Sequence, residues 1–329
     1  MTKIYLVAFF ALVAIFGSIM LVRHLYPIHD YQLLAPVKPP VPAEVTKELK
    51  VVIGGDVMLD RQNRALGETY SYDYLFQGVA SLFKSADIGV VNLEGPVTDY
   101  PSKTLLSNGE TDDDLTFTFA TNTPEALAAA GISLIGLANN HTYNFGAEGL
   151  AQTHEWLSKA GVEWFGDPLN TEGTEQIVCK NSICVAFVGY HEFNPGKERI
   201  LADVKRLSGE GYPVIVMAHW GDEYATNTPS RVKAEAREFV DAGATAIVGA
   251  HPHVIGDKEW VGNVPVIYSL GNLLFDQYFS QDVMTGNVAE LDFEKNGDDV
   301  YLDKVFLYTV SNASRQGPVV VGLPIEFSE

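Results

Sequence analysis

Seven short apolar runs rich in Val and Ile, at 50–54, 88–92, 134–138, 183–189, 214–219, 246–249 and 266–270, constrain this chain more than any other feature. Most read as strands buried on both faces. Amphipathic segments with helical spacing separate them: 123–130, where Thr123 can cap the helix and Pro124 fill its first position, 147–160, and 229–242. Strands alternating with helices predict an α/β layered domain. Over 288–310 the pattern changes to that of antiparallel strands, with Asn296-Gly297 as the hairpin turn, so a mixed β region is expected to close the domain.

Polar residues cluster at the carboxyl ends of these runs, where open α/β sheets place ligand sites. Asp56 follows the first; Asn92 and Glu94 end the second; Asn139, Asn140 and His141 follow the third. His219, then His251 and His253, and finally Asn272 follow the later ones. Singly, each has an ordinary explanation as a turn cap, a solvated carboxylate or a structurally satisfied imidazole. Together they read as a site, because crowded amides, carboxylates and imidazoles demand partners. Four of the chain's 8 His are committed to these loops. Mixed imidazole and carboxylate donors suit a divalent metal ion of the Mn, Zn or Fe class better than Ca or Mg. In Gly249-Ala-His-Pro-His253, Pro252 stiffens the loop and can aim the two rings at neighbouring coordination positions. Gly54, Gly55, Gly95, Gly221 and Gly271 are consistent with close backbone approach at these turns.

At 329 residues, 47% of them hydrophobic, the chain has material for one large core and one main globular domain. A formal charge of -20 without any basic run excludes a nucleic-acid partner, since phosphate neutralisation needs clustered Lys and Arg. Residues 4–22 form an uncharged apolar run long enough to cross a bilayer as a helix. It continues into Arg23 and His24 with no small-residue cleavage site, which favours an uncleaved anchor over a signal peptide. The expected organisation is a membrane anchor over 1–26, a Pro-rich extended stalk over 27–48 and the catalytic-type domain over 49–329. Flanking charges give a weak vote for a cytoplasmic N-terminus, hence a single-pass protein with its C-terminal domain extracytoplasmic. Cys179 and Cys184 would face one another across a hairpin turning at Asn181-Ser182, close enough for a disulfide and hence an oxidising compartment. Two buried free thiols are the alternative.

Six ordered segments carry a family resemblance: Gly55-Asp-Val-Met-Leu59, Asn92-Leu-Glu94, Ala138-Asn-Asn-His141, His219-Trp-Gly-Asp-Glu-Tyr224, Gly249-Ala-His-Pro-His-Val254 and Tyr268-Ser-Leu-Gly-Asn272. The chain resembles the CapA family of poly-γ-glutamate capsule synthesis proteins, whose domain is similar to calcineurin-like metallophosphoesterases. The resemblance implies a layered metallophosphoesterase-like β-sandwich flanked by helices. It also implies Asp56, Glu94, Asn140, His219, His251 and His253 as metal ligands, and His141 as an acid or transition-state stabiliser. Arg61 is placed either to meet an anionic substrate group or to form a surface salt bridge. Met58 stands where the wider metallophosphoesterase pattern has a His, and Glu94 where it has a bridging Asp, so a variant of the two-metal centre is expected.

Implied partners are membrane subunits of a polymer synthase and an anionic polymer or phosphoester substrate, with the bilayer contacted through the N-terminal helix. Hydrolase or transferase chemistry, a non-catalytic assembly role, and a surface phosphoesterase unrelated to capsule all fit this pattern. Trp220, Tyr224 and Phe275 near the motifs read as buried packing sooner than as a substrate groove.

Overall fold

A computed structural model describes residues 47–105 and 114–328. The anchor expected over 1–26 and all but the last two residues of the stalk over 27–48 lie outside the described residues. Among the described residues no helix is long and apolar enough to cross a membrane.

The chain runs through β1 (Lys47–Val57), α1 (Arg61–Tyr70), α2 (Tyr72–Phe76), α3 (Ala80–Lys84), β2 (Ile88–Leu93), α4 (Thr123–Ala129), β3 (Leu134–Gly136), α5 (Gly146–Ala160) and β4 (Glu163–Phe165). The second half comprises β5 (Glu175–Lys180), β6 (Ile183–His191), α6 (Lys197–Gly209), β7 (Val214–His219), α7 (Ser230–Ala242), β8 (Ala246–Ala250), β9 (Lys258–Val261), β10 (Val264–Ile267), β11 (Asn272–Leu274), β12 (Thr285–Asn296), β13 (Asp299–Ser311) and β14 (Val319–Glu326). Two sheets result. One has the order β14-β13-β12-β1-β2-β3-β4 with β11 also paired to β1; the other has the order β5-β6-β7-β8-β10-β9.

Side-chain alternation builds the layers. Val51, Ile53 and Val90 of the first sheet pack on Val185, Phe187, Ile215 and Met217 of the second, forming the core between the sheets. Val52 and Val91 point the other way, into a second core with Phe76, Phe83 and Leu157 of the helices on that side. Val188, Val214 and Val216 point outward beneath α6 and α7, against Ile200, Val204 and Phe239. Strands covered on both faces must be apolar at every position, which is why the sequence shows runs instead of alternation. Removing one large ring from the central layer, as in Phe187→Ala, costs about 3–5 kcal/mol.

Several boundaries differ from expectation for local reasons. The strand expected at 266–270 ends at Ile267; the Leu270 N–H donates to Gly249 O at 3.0 Å, and the chain re-enters a sheet at Asn272, beside β1. Asn122 takes the cap position expected of Thr123, which opens the helix. The β12–β13 turn falls one residue later than expected, because Asn296 pairs with Asp299 and leaves Gly297 in the turn at φ 63°. The Cys hairpin turns at Asn181 and Ser182 as expected, with φ 53° and 65°, and Cys179 and Cys184 lie opposite one another and are joined by a disulfide.

Candidate metal centre

Each sheet supplies part of one site. From the first come Asp56 near the end of β1, Glu94 just past β2, and Asn140 and His141 past β3. The second gives His219 as the last residue of β7, and His251 and His253 just past β8. Glycines let the strands close on one another: a Cβ on Gly55 would stand 1.9 Å from Gly271 O. The Asp56 N–H instead donates to that same carbonyl at 3.2 Å.

The potential ligand atoms form two overlapping trios, Asp56, Glu94 and His253 on one side and Glu94, His219 and His251 on the other, each with its atoms within 4.8 Å of one another. Glu94 is common to both. Its two carboxylate oxygens are buried and have no hydrogen-bond partner; His219 Nε2 and His253 Nε2 stand 3.7 and 3.9 Å from Oε1, beyond hydrogen-bond reach. Such an orphaned carboxylate is costly unless something cationic sits between it and the rings. Around His219, His251 Nδ1 lies 3.1 Å and Asn140 Oδ1 2.8 Å from Nε2. Donors each about 2.1 Å from one ion stand about 3.0–3.4 Å apart, so this convergence fits a divalent cation. His253 Nδ1 lies 3.3 Å from Asp56 Oδ2 and 3.0 Å from Asn272 Oδ1.

Backbone strain concentrates here. His251 (φ 97°), His253 (φ 58°), Tyr224 (φ 62°) and Arg61 (φ 52°) are all non-glycine residues in the left-handed region. Conformations of this kind persist where the surroundings enforce them and cluster at functional sites.

The titratable groups respond to burial and to each other. Burial, together with the neighbouring Asp56 carboxylate, pushes Glu94 well above the usual carboxylate range. Burial also holds His219 well below the usual imidazole value, helped by His251. His251 falls to about 4 through burial and the nearby His253. His253 goes the other way: burial lowers it, but Glu94 and Asp56 prevail and raise it to about 9. Neutral His219 and His251 are therefore ready donors. A cation entering beside Glu94 and His253 would displace protons.

The remaining predicted residues divide. His141 borders the cluster, with Nδ1 3.2 Å from Asn144 Oδ1 and its ring 4.5 Å from Phe117; burial lowers it to about 4. Arg61 is ion-paired with Asp276, its guanidinium 5.2 and 5.7 Å from the Phe117 and Phe275 rings. Met58 is fully buried and is no ligand, since its thioether accepts the Asp60 N–H. Trp220 and Phe275 are buried, whereas Tyr224 is 45% exposed beside His253.

Sequence reasoning undervalued the amides that hold the ligands. Asn92 donates to Asp56 Oδ1 at 2.7 Å and stands 3.3 Å from His219 Nδ1, while Asn139 donates to Asn92 Oδ1 at 3.0 Å. It missed His191, whose buried ring lies 5.7 Å from that of His219. The signal was there, since His191 is paired in register with His219 at the end of β6, two residues beyond the expected strand end.

Residues 50–277 match the family described as bacterial capsule synthesis protein PGA_cap. The capsule biosynthesis protein CapA of Bacillus anthracis is 30% identical over 259 residues, covering 72% of this chain and 62% of that protein. The PGA biosynthesis protein CapA of Bacillus subtilis is 25% identical, covering 74% and 67% respectively. Among solved structures, a calcineurin-like phosphoesterase from Bacillus subtilis superposes with a TM-score of 0.50 at 14% identity, covering 84% of this chain and 93% of that one. This chain therefore belongs to the PGA_cap family of bacterial capsule synthesis proteins and has a calcineurin-like phosphoesterase fold.

Proposed function

We propose that this protein serves the synthesis or export of poly-γ-glutamate capsule polymer at the outer face of the cell membrane. In this reading a divalent cation held by Asp56, Glu94, Asn140, His219, His251 and His253 supports hydrolase or transferase chemistry. The observation that carries the metal reading is Glu94, whose two buried oxygens lack partners and face donors from both sheets. The capsule reading is supported by family membership and by relatives named for capsule or PGA biosynthesis.

A bound divalent cation supplies Lewis-acid polarisation of a phosphoryl or acyl oxygen. The chain's own residues do the rest. His141, kept neutral by burial, stands ready to take or give a proton at the edge of the cluster. Arg61, held beside the Phe117 and Phe275 rings and ion-paired with Asp276, would offer its remaining guanidinium N–H groups to an anionic substrate. The Cys179–Cys184 disulfide and the apolar run at 4–22 support an extracytoplasmic, single-pass location, which would put the domain beside the membrane subunits of a polymer synthase.

The test is metal analysis of the full chain purified from its host, together with capsule formation in cells carrying His141→Ala or His251→Ala. Bound metal, with polymer lost in both variants, is expected. Metal-free protein whose variants still support polymer would end the enzymatic reading. A non-catalytic assembly role is the second reading, favoured by Met58, whose thioether leaves the Asp56 side one imidazole short of the wider pattern.

A further inference from the structure

Ten large hydrophobic side chains are exposed among the described residues, and four of them, Leu115, Phe193, Tyr224 and Phe279, border the metal centre. They come from four separate segments of the chain. The Phe193 ring meets the edge of His251 at 4.7 Å. Tyr224 lies 6.0 Å from His253, and Phe279 packs edge-on against Tyr224 at 5.2 Å. The backbone of Leu115 lies beside the His141 ring. Their exposures are 57% for Leu115, 48% for Phe193, 45% for Tyr224 and 67% for Phe279.

Isolated exposed hydrophobics are ordinary on any surface, but these stand beside His141, His251 and His253 of one polar centre, and exposed apolar side chains gathered at such a centre mark a binding site. Tyr224 keeps its place at φ 62°, with its N–H donating to Pro252 O at 2.8 Å, so strained backbone holds the ring out over His253.

We propose that the centre receives an amphiphilic anion, in which the phosphate or carboxylate that meets the metal is attached directly to an apolar chain or ring lying across Phe193, Tyr224, Phe279 and Leu115. This rests on the metal-centre reading above. A bare anion, or a polymer charged at every residue, would leave the four side chains in water. An apolar group covering them gains roughly tenfold or more in affinity, at about 25 cal/mol per Å² removed from water.

The experiment is titration calorimetry of the full chain, reconstituted in lipid nanodiscs and loaded with Zn²⁺ or Mn²⁺, with methyl phosphate and hexyl phosphate as probes. Metal content is measured on the same sample. Hexyl phosphate is expected to bind about tenfold or more tightly than methyl phosphate. In a Phe193→Ser, Phe279→Ser double variant that preference should fall to about threefold or less, with methyl phosphate affinity within about twofold of the parent. Both side chains are well exposed, so the variant keeps its core, which thermal melting verifies. Equal affinity for the two probes, or a preference that survives in the variant, overturns the proposal and leaves the metal reading standing. Failure of loaded protein to bind either probe overturns the proposal together with the anion-binding chemistry beneath it.

Discussion

The backbone N–H of Asp60 donates to the thioether of Met58 at 3.1 Å. The sulfur is thereby committed two residues along its own loop, at a position the wider phosphoesterase pattern fills with imidazole. Met58→His should restore that donor on the side of Asp56, Glu94 and His253. The expected outcome is metal affinity raised by about tenfold or more and a second equivalent in metal analysis. An unchanged stoichiometry would show that this side does not take an ion. The replacement places a polar ring in a fully buried position, so a loss of about 1–3 kcal/mol in metal-free stability accompanies it.

Glu94→Gln keeps shape and removes the charge shared by the two trios. Metal affinity is expected to drop about a hundredfold or more. Metal-free protein should melt close to the parent, because relief from burying the Glu94 carboxylate beside Asp56 offsets the loss of its attraction to His253. A large fall in metal-free melting temperature would mean that the attraction between Glu94 and His253 outweighs that relief.

The metal-free protein should have two pH limbs. His141 and His251 fall to about 4 in the folded state against an ordinary value of 6.5. Between those values the unfolded chain binds more protons, so their contribution is full above 6.5 and lost as pH falls to about 4. His253 is raised to about 9, so the stability it contributes is full below 6.5 and lost as pH climbs to about 9. Each limb is worth roughly 3 kcal/mol per histidine at most. Thermal melting across this range should peak near the ordinary imidazole value, and saturating metal should abolish the alkaline limb. A flat profile would contradict both assignments.

The disulfide closes a loop of only a few residues, with a sequence separation of 5. Chain-entropy reasoning puts its worth at roughly 2 kcal/mol. Replacing both cysteines by serine should lower the melting temperature by several degrees and leave metal content unchanged, since the hairpin lies on the edge strand β5, away from the strand ends that carry the ligands. Reactive thiols in unfolded, unreduced protein from the native host would remove the bond.

Much of the fold was legible because strands covered on both faces leave unbroken apolar runs: β7 falls where its run ends, at His219, and β2 and β8 end within a residue of theirs. Helix α1 left no such trace. Its ten residues, RQNRALGETY, carry few apolar side chains, and the buried ones are Asn63, Arg64 and Gly67, so no stripe marks it. Edge strand β14 was invisible for a related reason, since Gly322 and Pro324 interrupt it and most of its side chains are exposed. The six candidate ligands lie together in the structure. The coupling of Asn92 to both Asp56 and His219 needed three dimensions, because it depends on how two sheets abut.

That abutment ties occupancy to assembly. Asp56, Glu94 and Asn140 belong to one sheet and His219, His251 and His253 to the other, so a chain in which only one sheet has formed offers half a coordination shell. An ion bound by both halves would act as a rivet through the sandwich, its binding energy opposing any motion that slides one sheet over the other. The same partition would make such an ion an inspector of folding: a misregistered sandwich would stay unloaded, and its uncompensated carboxylates would leave it easier to unfold and to degrade.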